Sequence, residues 1–230
     1  MHVREIFGGH AGVTRLAIKY HMIAGRCFDL NVGIDLTKPG EKEKLFAYVR
    51  KHKPQCIVAG PPCTAFGPWS RFNRVHYHDA WLKSFMVGRP LALLTAELCQ
   101  IQRAAGRFFL VENPWTRELW QLPEWQELLP HCYTAYCEQC VFGLTDMNGE
   151  PTLKPTAFVS NDPRMIEGLN MSCNGMHSYH APLAGNLYGV SKTNTLSDGH
   201  TNCAEESLRT LQRSVLEINV SRAQQKSNST

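Results

Sequence analysis

The chain has 230 residues, 43% of them hydrophobic, which suits one main domain with a small appendage rather than several independent cores. Lys+Arg of 24 against Asp+Glu of 20 leaves a net charge of +4, a mild basicity that permits a polyanionic partner without requiring one. No apolar run approaches membrane-spanning length, the nine cysteines are an odd number ill suited to a disulfide framework, and the chain opens without a charged-then-apolar leader. A soluble protein in a reducing cytoplasmic or nuclear setting is expected, rather than a membrane or secreted one.

In chain order, residues 3–7 read as a first strand, and Gly8-Gly9-His10-Ala11-Gly12 as a turn. Helical spacing follows, with Val13, Leu16, Ala17 and Tyr20 on one face. Residues 26–30 form a short second strand, 31–40 are irregular, and 41–53 make an amphipathic helix stopped by Pro54. A strand over 56–60 runs into Pro61-Pro62-Cys63. An aromatic and basic loop then occupies roughly 64–88, before a helix over 90–106 that starts at a proline. The strand at 107–111 ends in a Glu112-Asn113-Pro114 turn, a helix spans 117–129, and a strand pair at 133–141 and 154–160 flanks a turn at 146–151. A Cys/His- and Gly-rich stretch covers 170–200, a helix 206–222 closes the chain, and the polar tail 223–230 is expected to be disordered. Strands separated by helices indicate a mostly parallel α/β sheet. The domains expected are a main body over 1–165, a Cys/His-rich lobe over 166–205, and the closing helix packed back on the body.

Three places carry candidate chemistry. Glycines between a strand and a helix let backbone approach a ligand at the helix N-terminus. The turn at Gly8, Gly9 and Gly12 matches neither a P-loop nor a dinucleotide fingerprint, so a tight turn with no ligand stands beside the cofactor reading. Asp29 and Asp35 fall where an acid could accept hydrogen bonds from a ribose or an adenine amine, or serve simply as solvated loop carboxylates. Cys63 follows two prolines that fix φ, so its thiol is aimed by a rigid turn; a small buried core residue is the alternative. Glu112 directly follows an apolar strand, where desolvation would let it hold a proton, or where it could cap the next helix.

Gly60-Pro61-Pro62-Cys63 followed by Phe66, then Glu112-Asn113-Pro114, resembles the cytosine-C5 methyltransferases, with their Pro-Cys nucleophile motif and Glu-Asn-Val motif. Glu5-Ile6-Phe7-Gly8-Gly9 with Gly12 is similar to that family's first motif, which binds S-adenosylmethionine. The resemblance covers about residues 3–160 and implies a Rossmann-like methyltransferase fold. It implies Cys63 as nucleophile on C6 of cytosine and Glu112 as the group that protonates or hydrogen-bonds N3. Phe7, Gly8, Gly9, Gly12, Asp29, Asp35 and Pro61 would hold the cofactor, and Asn113 would face the nucleic acid. Lys154 is the nearby cation where the family carries a Gln-x-Arg-x-Arg pattern, whose arginines are absent, and Pro114 replaces the final valine. Trp69, Arg71 and Arg74 in the 64–88 segment have the cationic and aromatic mix that holds a nucleic-acid strand open, a partly folded lid being the alternative. No large target-recognition domain fits in the remaining chain, so specificity is low or supplied by a protein partner.

Cys137-x-x-Cys140 followed by Cys173, His177 and His180 has zinc-type ligands. Cys140, Cys173, His177 and His180 make a tetrahedral set, with Cys137 as alternate and Cys132, His200 and Cys203 as further candidates; ordinary loop and core residues are the competing reading. The function expected is S-adenosylmethionine-dependent methylation of cytosine in DNA, or in RNA. The alternatives are a catalytically degenerate nucleic-acid-binding protein on the same fold, and a cysteine hydrolase pairing Cys63 with a histidine.

Overall fold

The computed structural model describes residues 2–183 apart from 10 and 116, together with a strand pair at 186–187 and 190–191. The expected helix 206–222, the tail 223–230, and His200 and Cys203 lie outside the described residues.

Strands β1 (Val3–Ile6), β2 (Cys56–Ala59) and β3 (Phe108–Pro114) are parallel neighbours. Strands β4 (Tyr133–Glu138) and β5 (Pro155–Ser160) complete a five-stranded sheet of order β1-β2-β3-β5-β4, with β5 antiparallel to both its neighbours. A parallel return to the sheet needs a crossover, usually a helix. Between β4 and β5 the chain has a 3-10 turn and a tight turn at Asp146, whose carboxylate accepts from the Asn148 and Glu150 amides. The chain therefore comes back antiparallel and inserts between β3 and β4. The result is a mixed α/β sheet compatible with a Rossmann-like arrangement, less uniformly parallel than the sequence pattern suggests.

The expected second strand is a bridged edge. Ala24 and Phe28 bridge in parallel to Val3 and Ile6, and the pairing is interrupted between them. From this edge helix α2 (Pro39–His52) carries the chain back past β1 to β2. The winding direction thus reverses between β1 and β2, and in open α/β sheets ligands bind outside the carboxyl ends of the strands at such a switch point.

Both faces of the sheet are covered, which explains the apolar reading of β2 and of β3 up to Val111; β1 buries Arg4 and Glu5 as well. On one face Ile6, Ile57, Ala59, Phe109 and Val111 pack with Leu45 and Val49 of α2 and with Trp125. On the other, Val3, Cys56, Leu110, Ala135, Cys137 and Phe158 meet Val13, Leu16 and Ala17 of helix α1 (Gly12–Lys19) and Met165, Ile166 and Leu169 of the turn after β5.

The expected loop over 64–88 is mostly helical: α3 (Ser70–His76) and α4 (His78–Ala104) account for it. No glycine or proline occurs between Trp69 and Val87, and rings one helical turn apart pack together, Phe72 tilted against His76 at 4.3 Å and Trp81 stacked on Phe85 at 4.9 Å. Pro90, read as a helix start, lies inside α4. It forfeits one backbone bond, offset by the buried stripe of Leu91, Leu94 and Leu98. Glu112, Asn113 and Pro114 continue β3 rather than turning, because Ala157 and Thr156 of β5 pair with the last two. The helix expected over 117–129 is divided into α5 (Arg117–Trp120) and α6 (Pro123–Leu128), Pro123 opening the second. Among the described residues no helix is long and apolar enough to cross a membrane.

Candidate active site and metal centre

The turn after β1 is built around Glu5. Its Oε1 accepts the Val13 amide at 3.1 Å, and its Oε2 accepts the Thr14 amide at 2.8 Å and the Thr14 hydroxyl at 2.7 Å. The first turn of α1 is thus capped from inside the sheet. Gly8 is required for this, since a Cβ there would collide with the Glu5 carboxyl. Burial raises the pKa of Glu5, against the hydrogen bonds from Thr14 and Val13 that lower it. Phe7 (φ 58) and Ala11 (φ 57) adopt the left-handed region, an uncommon state for a bulky side chain that collects at functional turns. Asp29 braces the same turn: its Oδ2 accepts the Gly9 amide at 2.9 Å and its Oδ1 the Asn31 amide at 2.7 Å. Asp35 bonds locally instead, to the Thr37 amide and hydroxyl, and those bonds hold its carboxyl below the usual range.

This changes what the turn can bind. A helix N-terminus ordinarily offers free N–H groups to a phosphate. Here a carboxylate of the chain already accepts them, and Asp29 adds a second acid. A phosphate would be opposed, whereas a neutral or cationic group would be welcome.

The carboxyl ends of β1, β2 and β3 bring the remaining groups together. A Cβ on Gly60 would lie 3.5 Å from the Phe7 carbonyl and 3.6 Å from Oε2 of Glu112, so the glycine is where the first turn, the cysteine turn and the glutamate approach most closely. The Asn113 amide donates to the Pro61 carbonyl at 2.9 Å, fastening the cysteine turn to the end of β3. Lys154 Nζ sits 3.2 Å from Glu112 Oε1. Gln139 Nε2 donates to Thr156 Oγ1 at 2.8 Å and reaches the same Glu112 oxygen at 3.4 Å. Gln139 follows β4 and Lys154 precedes β5, and the Gln139 amide donates to the Lys154 carbonyl at 3.2 Å. The antiparallel hairpin therefore delivers a cation and an amide to a carboxylate on β3. Cys63 is partly exposed beside them. Desolvation raises its thiol pKa, the Glu112 charge raises it further, and the Lys154 ammonium lowers it.

The aromatic and basic residues form a platform on α3. Trp69 and Phe72 are exposed and meet edge to face at 6.1 Å, and Arg74 lies 5.9 Å over the Trp81 ring. Arg71 is paired with Glu118 at 2.8 Å. The platform is anchored to the cysteine turn, because Ser70 Oγ donates to the Ala65 carbonyl at 2.6 Å and accepts from Trp81 Nε1 at 3.1 Å.

A second cluster lies at the same end of the hairpin, beginning one residue beyond Gln139. The ligand-type atoms of Cys140, Cys173, His177 and His180 all fall within 4.8 Å of one another. Cys173 Sγ is 3.3 Å from His177 Nδ1 and 3.5 Å from His180 Nε2. Ligands at ordinary Zn–S and Zn–N distances in a tetrahedron lie about 3.5 Å apart. This Cys2His2 set could hold a metal ion such as zinc. Cys137 is not part of it: alternation along β4 buries Cys137 in the core on the face covered by Met165, Ile166 and Leu169, and Cys140 follows in the 3-10 turn. Cys132 packs against the opposite core, its thiol donating to the Leu128 carbonyl at 3.2 Å. Glu138 stands behind the cluster, accepting the Cys173 amide at 2.6 Å and the Tyr136 hydroxyl at 2.7 Å, and these bonds hold its carboxyl below the usual range.

Fold and site together define a class: a mixed α/β sheet protein with a cysteine, a glutamate and a lysine at the carboxyl edge, and a separate Cys2His2 cluster. No protein-family model matches the chain, and comparison with curated proteins finds no match. Glu5 opens the first motif but its capping role is not legible there, and Gln139 and Thr156 are not legible as site residues. Gln139 carries a weak signal, a neutral polar residue between Glu138 and Cys140; its burial and its reach to Glu112 come only from the fold.

Proposed function

We propose that this chain transfers a methyl group from S-adenosylmethionine to C5 of cytosine in nucleic acid, in DNA more readily than RNA, through a covalent adduct at Cys63. The observation that carries the reading is the meeting of Cys63 with the Glu112–Lys154 pair beside a turn that disfavours phosphate. S-adenosylmethionine fits that turn by its chemistry: it has no phosphate and bears a sulfonium cation, which suits the neighbourhood of Glu5 and Asp29. Phe7, Gly8, Gly9, Gly12 and Pro61 would frame it, Asp29 would supply an acceptor, and Asp35 is left to local bonds. Bound there, it supplies an electrophilic methyl group.

The protein's own residues do the rest. Cys63, as thiolate, adds to C6 of the ring and drives electron density toward C5 and N3. Glu112, in its acid form, donates a hydrogen bond to N3 while negative charge develops there, with Lys154 and Gln139 holding its Oε1. After methylation, solvent water takes the C5 proton, and the electron pair of that C–H bond re-forms the C5–C6 double bond as Cys63 leaves as thiolate. A cytosine in a duplex must first leave the stack, and the Trp69, Phe72 and Arg74 surface next to the cysteine turn suits an unstacked strand.

A second reading, a catalytically degenerate nucleic-acid-binding protein, is favoured by one observation: the Cys63 thiol is pushed up rather than activated. Transfer of labelled methyl to DNA and to RNA, comparing wild type with Cys63→Ala, separates the two. Label on cytosine C5 that vanishes in the variant supports the enzyme. Binding of cofactor and polymer without transfer supports the degenerate form, and failure to bind the cofactor removes both.

A further inference from the structure

The loop bearing three of the four metal-type ligands has almost no core of its own. Between Asn170 and His180 only Cys173 is buried, while Met171, Met176 and Tyr179 are exposed. Backbone ties reach it from two sides. The Glu138 amide donates to the Met171 carbonyl at 2.9 Å, and the Ala181 amide donates to the Pro151 carbonyl at 2.8 Å. A segment so short of apolar contacts needs another source of order, and four soft ligands converging on one point supply it when a metal binds.

The fourth ligand, Cys140, belongs to the main body and immediately follows Gln139. Gln139 is fully buried; its backbone amide holds Lys154, and its side chain bridges Thr156 to Glu112. Fixing Cys140 therefore fixes the short turn from which Gln139 reaches the glutamate.

We propose that a zinc ion bound by Cys140, Cys173, His177 and His180 locks the turn after β4, and through Gln139 holds Glu112 and Lys154 in place against Cys63. Gln139 is thus a positioning residue, and the metal centre belongs to the construction of the reacting site. The positioning half rests on the Cys63–Glu112 pair being the site proposed above; zinc binding does not. Cys2His2 chemistry selects zinc over calcium or magnesium, which take oxygen ligands.

The test uses the full chain and reads metal content and cysteine alkylation, neither of which depends on methyl transfer. Zinc should be present at about one per chain, and lost in a His177→Ala, His180→Ala double variant. Chelation should expose Cys140 and Cys173 to iodoacetamide, speed hydrogen exchange across 139–142 and 152–156, and slow alkylation of Cys63 several-fold as Lys154 moves off Glu112. Gln139→Ala, assayed with zinc still bound, should slow Cys63 to the same degree, and chelation should then add little. Absence of stoichiometric zinc overturns the whole proposal. Bound zinc with unchanged Cys63 alkylation in Gln139→Ala overturns the positioning role, even where chelation unfolds the protein and bares Cys56 and Cys99. Zinc binding and positioning as expected, with no methyl transfer to any polymer, would leave this proposal standing and fail the functional one.

Discussion

Cys63 sits under two opposed charges, and that opposition sets how its reactivity responds to change. The Glu112 carboxylate disfavours the thiolate and the Lys154 ammonium favours it, with burial adding to the first. Alkylation of Cys63 by iodoacetamide in wild type should accordingly keep rising with pH beyond 9.0, the ordinary thiol value. At fixed pH, Glu112→Gln should accelerate that alkylation and Lys154→Ala should slow it; equal rates in all three proteins would sever the thiol from the pair. Methyl transfer should move the other way for the glutamate, falling by about 10²–10³ in Glu112→Gln with loss of the group that stabilises charge on the ring. A variant that reacts faster with a small electrophile and yet loses turnover separates nucleophile access from ring activation.

At the scale of elements, α1 is held by a strand rather than by its own cap. Ala11, its N-cap residue, offers no side-chain bond, and Glu5 of β1 takes that role. Glu5→Ala should destabilise the fold by about 1–2 kcal/mol, the usual worth of a cap, measured by urea unfolding. The pH dependence has a fixed sign. The folded pKa of Glu5 is raised above its unfolded value of 4.5, so its favourable contribution is complete below that value and is lost as pH rises through the folded pKa. Wild type should lose stability relative to Glu5→Gln over that interval, and a constant difference would show that the carboxyl titrates normally. Helix α3 makes a separate prediction about nucleic acid. Trp69→Ala should cost about 1–3 kcal/mol of single-strand affinity if bases stack there. Arg74→Ala should reduce the salt dependence of binding by about 0.7–0.9 in log–log slope. Arg71→Ala should reduce it less, since Glu118 already neutralises that guanidinium.

Across the whole molecule, the sheet edge gathers what the chain keeps apart. The cysteine turn follows β2, the glutamate ends β3, and the lysine and glutamine come from the hairpin beyond it. The metal cluster begins one residue beyond that glutamine. Zinc binding only the folded form should raise the melting temperature with concentration, by an increment equivalent to about 2.7 kcal/mol at one hundred times its dissociation constant. A melting temperature indifferent to zinc would mean the cluster is only a set of buried thiols and loop histidines.

The sequence by itself determined the elements whose signals are local. Apolar runs at β2 and β3, the proline-stopped α2, the cysteine turn, and the metal-type residues Cys173, His177 and His180 with a cysteine of the Cys137-x-x-Cys140 pair all follow from residue type and spacing. Cys63 and Glu112 as a candidate pair were legible in the same way, since each follows an apolar strand. What only the tertiary structure decided depends on partners distant in the chain. Glu112 lies in a strand and not a turn because β5 pairs with it, and β5 is antiparallel because no helix separates it from β4. Cys137 and Cys140 look equivalent as ligands, yet strand alternation buries one in the core and the 3-10 turn brings the other to the cluster. The helices over 70–87 escaped a reading that took aromatic and basic residues for a loop, because their order comes from ring stacking and from Ser70 on Ala65. Gln139 has only a weak local signature: its role exists only where β4, β5 and β3 lie side by side.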